Sequence, residues 1–176
     1  MRWQISGMLL QEVLALFEFD AWAADRTIES VSSVPEQRYL EDLKSSHGGI
    51  HGTLVHIYGS NMVWLHRWKG SSPFRPVTVS EIPNLQNLKN HWKECQADLN
   101  SYLGTLNESK LNSILSYSDL KGNPQSEPLF QQMQHLVNHA SYHRGQIVTM
   151  LRQIGSKPIG TDLIMFYRTR PKPRSG

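Results

Sequence analysis

Between residues 85 and 106, Leu85, Leu88, Trp92, Cys95, Leu99, Tyr102 and Leu106 follow one another in alternating steps of three and four. Only an α-helix gathers such a spacing into one apolar seam, and a seam of that length needs partner helices to cover it. Partners are evident elsewhere. Leu10, Val13, Leu14, Phe17, Ala21, Ala24, Ile28 and Val31 also step by three and four, until Pro35 closes that helix. The segment from roughly His47 to Trp68 is apolar nearly all round and ends at Gly70, Ser71, Ser72 and Pro73, which predicts the most buried helix. A fourth long helix is expected from about Ser126 to Ile154, with Gly155 as its C-terminal cap. The stretch 107–124 is polar instead, and Tyr117 with the cluster Gly122, Asn123, Pro124 predicts a short β-hairpin before the last long helix. GTDLIMFYR adds a final turn of helix, capped by Thr161 or Asp162. The fold class expected is all-α, a four-helix bundle.

With 176 residues the chain is long enough for one domain with its own core. That domain is expected over residues 1–167. The end, RTRPKPRSG (168–176), alternates Arg168, Arg170, Lys172 and Arg174 with prolines and reads as a basic, mobile tail. A net charge of +3 is too small to imply a nucleic-acid partner. The single cysteine, Cys95, excludes an internal disulfide and suits a reducing compartment, so a cytoplasmic location is expected. Because Cys95 stands on the apolar seam, it reads as a buried structural thiol rather than a nucleophile. Near the N-terminus Gln11, Glu12, Glu18 and Asp20 interrupt the apolar run, which leaves neither a signal peptide nor a membrane span.

The stretch HLVNHASYHRGQ, residues 135–146, carries three histidines at a spacing of four. On a helix turning about 100° per residue, Leu129, Met133, Leu136, Ala140, Ile147, Leu151 and Ile154 share an arc roughly 60° wide that must face the core. Measured from its centre, His143 lies about 50° away, His139 about 90° and His135 about 130°. His143 and His139 therefore point inward or along the margin, one turn apart. Such a pair suits a metal ion, since neutral imidazole nitrogens ligate Zn, Ni, Cu or Fe and burial disfavours the protonated form. The competing reading is a pair of core histidines satisfied by hydrogen bonds. A third ligand would come from the second helix, where His47, His51, His56 and His66 are candidates that periodicity does not separate. Arg144, about 50° from the core centre on the other flank, needs a carboxylate such as Asp162, Asp20 or Asp25, or the anion of a ligand.

FEFDAWAADRTIESV, TLVHIYGSNMVWL, HLVNHASYHRGQ and GTDLIMFYR, in this order, resemble the motifs of the DinB/YfiT family of metal-binding four-helix proteins, from about Leu14 to Tyr167. The resemblance implies a bundle with a long crossover connection, often paired into a homodimer. It places the family's metal triad on His56, His139 and His143. His135, Arg144 and Gln146 match signature positions around the ligands, and Trp64 would line the cavity. Ser60 stands four residues after His56, where many relatives carry an acidic residue; a smaller neutral group there implies a roomier cavity. The ion expected is divalent, Zn or Ni first, with Fe, Mn and Cu also suited to imidazole. The activity implied is a metal-dependent transferase joining a low-molecular-weight thiol to an electrophilic small molecule. The alternative is a non-catalytic stress-response protein whose metal is structural or sensing. No general acid or base stands out, and neither a nucleic acid nor a membrane is expected as a partner.

Overall fold

The computed structural model describes residues 7–72 and 75–170. Helix α1 spans Leu10–Ser32, and Pro35 then opens the single-turn helix α2, Glu36–Tyr39. Helix α3 is Ile50–Trp68. It begins three residues later than the apolar run suggests, because Ser45 and Gly48 pair in a tight turn with Gly48 at φ +79°. Helix α4, Leu85–Leu103, starts where the Asn84 side chain accepts the Asn87 N–H at 2.9 Å. It ends at Leu103, three residues short of the end of the seam, with Gly104 as its C-cap, although Leu106 remains buried beyond it. The short helix α5, Glu108–Asn112, leads into strand β1, Ile114–Ser118, which pairs antiparallel with β2, Pro124–Pro128. Helix α6 runs Leu129–Gln153. Ser126 belongs to β2, its hydroxyl 2.6 Å from that of Ser116, so the helix starts after Pro128 and not at Ser126. Its end follows the glycine rule: Gly155 sits at φ +80°, and the Ser156 N–H donates to the Leu151 carbonyl at 2.8 Å. Helix α7, Leu163–Thr169, follows Asp162, whose side chain makes no capping bond.

The four long helices close a ring of contacts: α6 packs on α3 and α1, and α4 packs on the same two. Helices α1 and α3 are thus diagonal partners, and residues 33–49 cross the bundle to join them. A second crossing, residues 104–128, joins α4 to α6 and carries α5 and the hairpin. Helix α3 is buried along nearly its whole circumference, as its composition requires. Cys95 is buried on the seam, and desolvation pushes its thiol up to about 12. Helix α7 docks on α1 through Phe166, whose ring centroid lies 5.9 Å from Phe19 and 5.7 Å from Trp22. Arg168 is helical and Arg170 pairs with Glu18 at 2.7 Å, so ordered structure continues past the expected boundary at residue 168. Lys172 and Arg174 of the expected tail lie outside the described residues. No helix among the described residues is long and apolar enough to cross a membrane.

Two glycines bring the loop before α3 onto its first turn. A Cβ on Gly49 would stand 2.1 Å from the Glu41 carbonyl oxygen, and one on Gly52 1.9 Å from that of His47. Gly52→Ala should therefore move the loop away. Replacing a helical glycine gains at most about 1 kcal/mol of helix propensity, and less in a first turn. A backbone clash has no rotamer to escape into, and overpacking of this kind costs about 1–3 kcal/mol or more. A net loss of stability is expected in urea unfolding of Gly52→Ala; stability equal to the parent would contradict the close approach.

Candidate metal centre

His56 faces the bundle interior from the second turn of α3, and His139 and His143 from one face of α6, the helix packed against it. His139 Nε2 lies 3.0 Å from His56 Nε2 and 3.1 Å from His143 Nε2. A ring nitrogen has one in-plane site, holding either a proton or a lone pair. His139 Nε2 therefore cannot satisfy both neighbours by hydrogen bonding, whatever its tautomer. A cation accepting all three lone pairs removes the conflict. Tetrahedral nitrogen ligands about 2.0–2.1 Å from a zinc ion stand about 3.3 Å apart, close to these spacings. The three histidines whose ligand atoms all lie within 4.8 Å of one another, His47, His56 and His143, could hold a metal ion.

The surroundings prepare the same state. Gln146 Oε1 accepts from His143 Nδ1 at 2.8 Å, which fixes the proton there and leaves the His143 Nε2 lone pair facing the cluster. His143 is buried, and His56 and His139 are half-buried. Desolvation first, and then the neighbouring imidazoles, lower His56 and His139 to about 4. Both are neutral at pH 7.

These shifts carry a pH dependence for the metal-free protein. Between about 4 and the unfolded value of 6.5 the unfolded chain binds more protons than the native one, so stability falls as pH falls through that window and is fully present above 6.5. Melting temperatures recorded from pH 7 to pH 4 should decline, and the decline should shrink in a His56→Gln/His139→Gln variant. A parent profile no steeper than that of the variant would contradict the shifts.

A fourth imidazole joins the group. The ring of His47 stacks on His56 at 3.8 Å between centroids and 15° between planes, and ligand atoms of His47, His56 and His143 all lie within 4.8 Å of one another. His47 stands before the helix, so no periodicity could select it. The signal was the loop itself, where Gly48, Gly49 and Gly52 let the turn lie against α3. His47 lies nearly parallel to His56, whereas His139 and His143 are tilted 58° and 76° from it. Of the other candidates, His51 is buried with its Nδ1 2.8 Å from the Tyr39 hydroxyl, and His66 lies near the far end of α3.

His135 is exposed, its ring 5.4 Å from that of Trp64 and 5.9 Å from that of His139. Arg144 turns to the opposite flank of α6, where it is 3% exposed and donates to Asp20 Oδ1 at 2.5 Å. Of the three carboxylates considered for it, Asp20 is the partner, and the ion pair ties α1 to α6. Ser60 and Trp64 line a cavity of about 160 Å³ that has His56 at one end and Arg67 at the other. Sequence reasoning passed over Arg67, a lone cation on an otherwise apolar face. A larger cavity of about 490 Å³ lies between α6 and residues 158–163, away from the histidines; its Arg144 is already paired.

The DinB family model matches residues 8–174. Among curated proteins, Protein DinB of Bacillus subtilis (strain 168) is 26% identical over 153 residues, which cover 84% of this chain and 88% of the relative. Among solved structures, a DinB-like protein from Bacillus cereus ATCC 10987 superposes with a TM-score of 0.52 at 18% identity, over 82% of this chain and 94% of that one. With its bundle, its diagonal crossings and a family match over nearly its whole length, the chain belongs to the DinB family.

Proposed function

We propose that the protein holds a divalent ion, zinc or nickel first, on His56, His139 and His143 and uses it to transfer a small thiol to an electrophile. The observation that carries this reading is that His139 Nε2 has both His56 Nε2 and His143 Nε2 within 3.1 Å, a crowding that a shared ion satisfies better than hydrogen bonds. An ion with three protein ligands supplies an open position and the Lewis acidity that makes a thiol ionise at neutral pH. The chain supplies the rest. Gln146 holds the His143 ring in orientation, the half-buried helix faces keep the imidazoles neutral, and the cavity beside His56 admits a small molecule. Cys95, buried with its thiol pushed up to about 12, is unsuited to attack, so the reacting sulfur comes from the cosubstrate. In the transfer the sulfur–carbon bond forms as the leaving group departs with its electron pair, and the thiol proton passes to solvent.

Metal-loaded protein incubated with a panel of low-molecular-weight thiols and a chlorinated or epoxide electrophile should form conjugate above background, and His143→Ala should not. No excess with any thiol would favour the second reading, a non-catalytic protein with a structural or sensing ion. One observation speaks for that reading: His47 offers a fourth nitrogen to the same cluster, and an ion with four protein ligands has no open position.

A further inference from the structure

Arg67 is 8% exposed, yet among the described residues it makes no ion pair, and its Nε has no hydrogen-bond partner. It differs in this from Arg144, the other buried arginine of the bundle, which has Asp20. What surrounds the Arg67 guanidinium is aromatic: its centre lies 4.5 Å from the Trp64 ring and 4.6 Å from the Tyr117 ring. Two π-faces hold the planar group and stabilise its charge in part, but they leave its buried Nε–H without an acceptor. Glu127 and Asp119 are near enough to be felt, and neither pairs with it. A buried cation with no carboxylate paired to it is costly for a fold, and its contacts with Trp64 and Tyr117 offset that cost only in part.

Its position suggests what the charge serves. His56, Ser60, Trp64 and Arg67 lie along one stripe of α3 and line the same narrow cavity of about 160 Å³. Over eleven residues the helix rises about 16 Å between the Cα atoms of His56 and Arg67. The Arg67 side chain leans back over Trp64, three residues before it, which shortens the gap. One wall of the cavity is the backbone of Val77, which lies 3.6 Å from where a Cβ on Gly59 would stand, so the space between the two ends is confined. We propose that Arg67 is the anion-binding end of the ligand site: the ligand is a slender molecule with a carboxylate held by Arg67 and a metal-seeking group at the other end, beside His56. The placement of that second end rests on the metal reading given above; the carboxylate site itself does not.

The test separates the two. Straight-chain carboxylates from butyrate to octanoate, alcohols of the same lengths and the corresponding alkyl phosphates are titrated calorimetrically into the metal-free full-length protein. The parent should bind at least one carboxylate about tenfold or more tightly than its alcohol, since hydrogen bonds to a charged group are the stronger kind. Arg67→Met, which keeps the aliphatic stem, should abolish that preference, leave alcohol binding unchanged and melt no lower than the parent. Arg67→Lys should keep part of it. No preference in the parent, or one that survives in Arg67→Met, would overturn the proposal, and tighter binding of the phosphates would overturn the choice of carboxylate. A purely structural Arg67 would instead lower the melting temperature on substitution and leave selectivity unmoved. In a second arm, ω-mercaptocarboxylates are added to the cobalt(II)-loaded protein and the sulfur-to-cobalt charge-transfer band is recorded. Absence of the band with every thiol defeats the thiol reading, while carboxylate selectivity in the first arm still stands or falls on Arg67 alone.

Discussion

His143→Ala lowers the affinity for a divalent ion more than about 100-fold, beyond the 10- to 100-fold loss that follows removal of groups that only support metal ligands. The residue is chosen because its geometry is the most constrained of the three. It is buried, its Nδ1 is committed to Gln146, and its Nε2 faces His139 at 3.1 Å. Without it two imidazoles remain on the proposed triad, and two ligands do not make a site selective for a transition metal. Competition against a chromophoric chelator measures the loss directly. His135→Ala is the matched control on the same helix: its ring is exposed and meets Trp64 edge to face, so the loss should stay within about 100-fold. Equal affinities in the parent and His143→Ala would show that the histidines do not hold the ion. His47→Ala then separates the two readings, weakening the site strongly only if the stacked ring rotates to become a ligand.

Asp20→Ala destabilises the protein by about 3–5 kcal/mol, the largest stability effect expected of a single substitution here, because it leaves Arg144 buried without a counter-charge. The pair is 2.5 Å apart and almost fully excluded from solvent; the Ser141 hydroxyl, 2.8 Å from the other terminal nitrogen of Arg144, is its remaining partner. Neutral Ser141 cannot replace the carboxylate. The double variant Asp20→Leu/Arg144→Met should recover most of the loss, since replacing both members of a buried ion pair with apolar groups of similar size is often neutral or favourable. Urea unfolding of the three proteins checks this. A loss below about 1 kcal/mol for Asp20→Ala would mean that water reaches Arg144 and that the pair is no more than a surface contact.

What the sequence disclosed and what it withheld divide along a physical line. Features set by periodicity were legible: the four long helices, the burial of α3, the seam carrying Cys95, and the inward turn of His143 and His139. The hairpin was legible because its turn chemistry is local; Asp119 accepts the Asn123 N–H at 2.9 Å, and Gly122 sits at φ +87°. Features set by contacts between distant segments were not. The start of α6 depended on Ser126 being claimed by β2, and the choice among Asp162, Asp20 and Asp25 on how α1 lies against α6. His47 reaches the cluster only because two glycines let residues 41–48 lie on α3. Arg67 could be seen in the sequence as a charge on an apolar helix, but its aromatic clamp joins α3 to β1, and its lack of a carboxylate appears only in three dimensions.

Zinc K-edge X-ray absorption on the protein loaded with one equivalent of zinc tests the centre most directly. A first shell containing three imidazole nitrogens at about 2.0–2.1 Å, with the outer-shell scattering of rigid rings, is expected, and one ring fewer in His143→Ala. Failure to retain one equivalent of zinc, or a first shell of oxygen without the ring pattern, would contradict a metal centre on His56, His139 and His143.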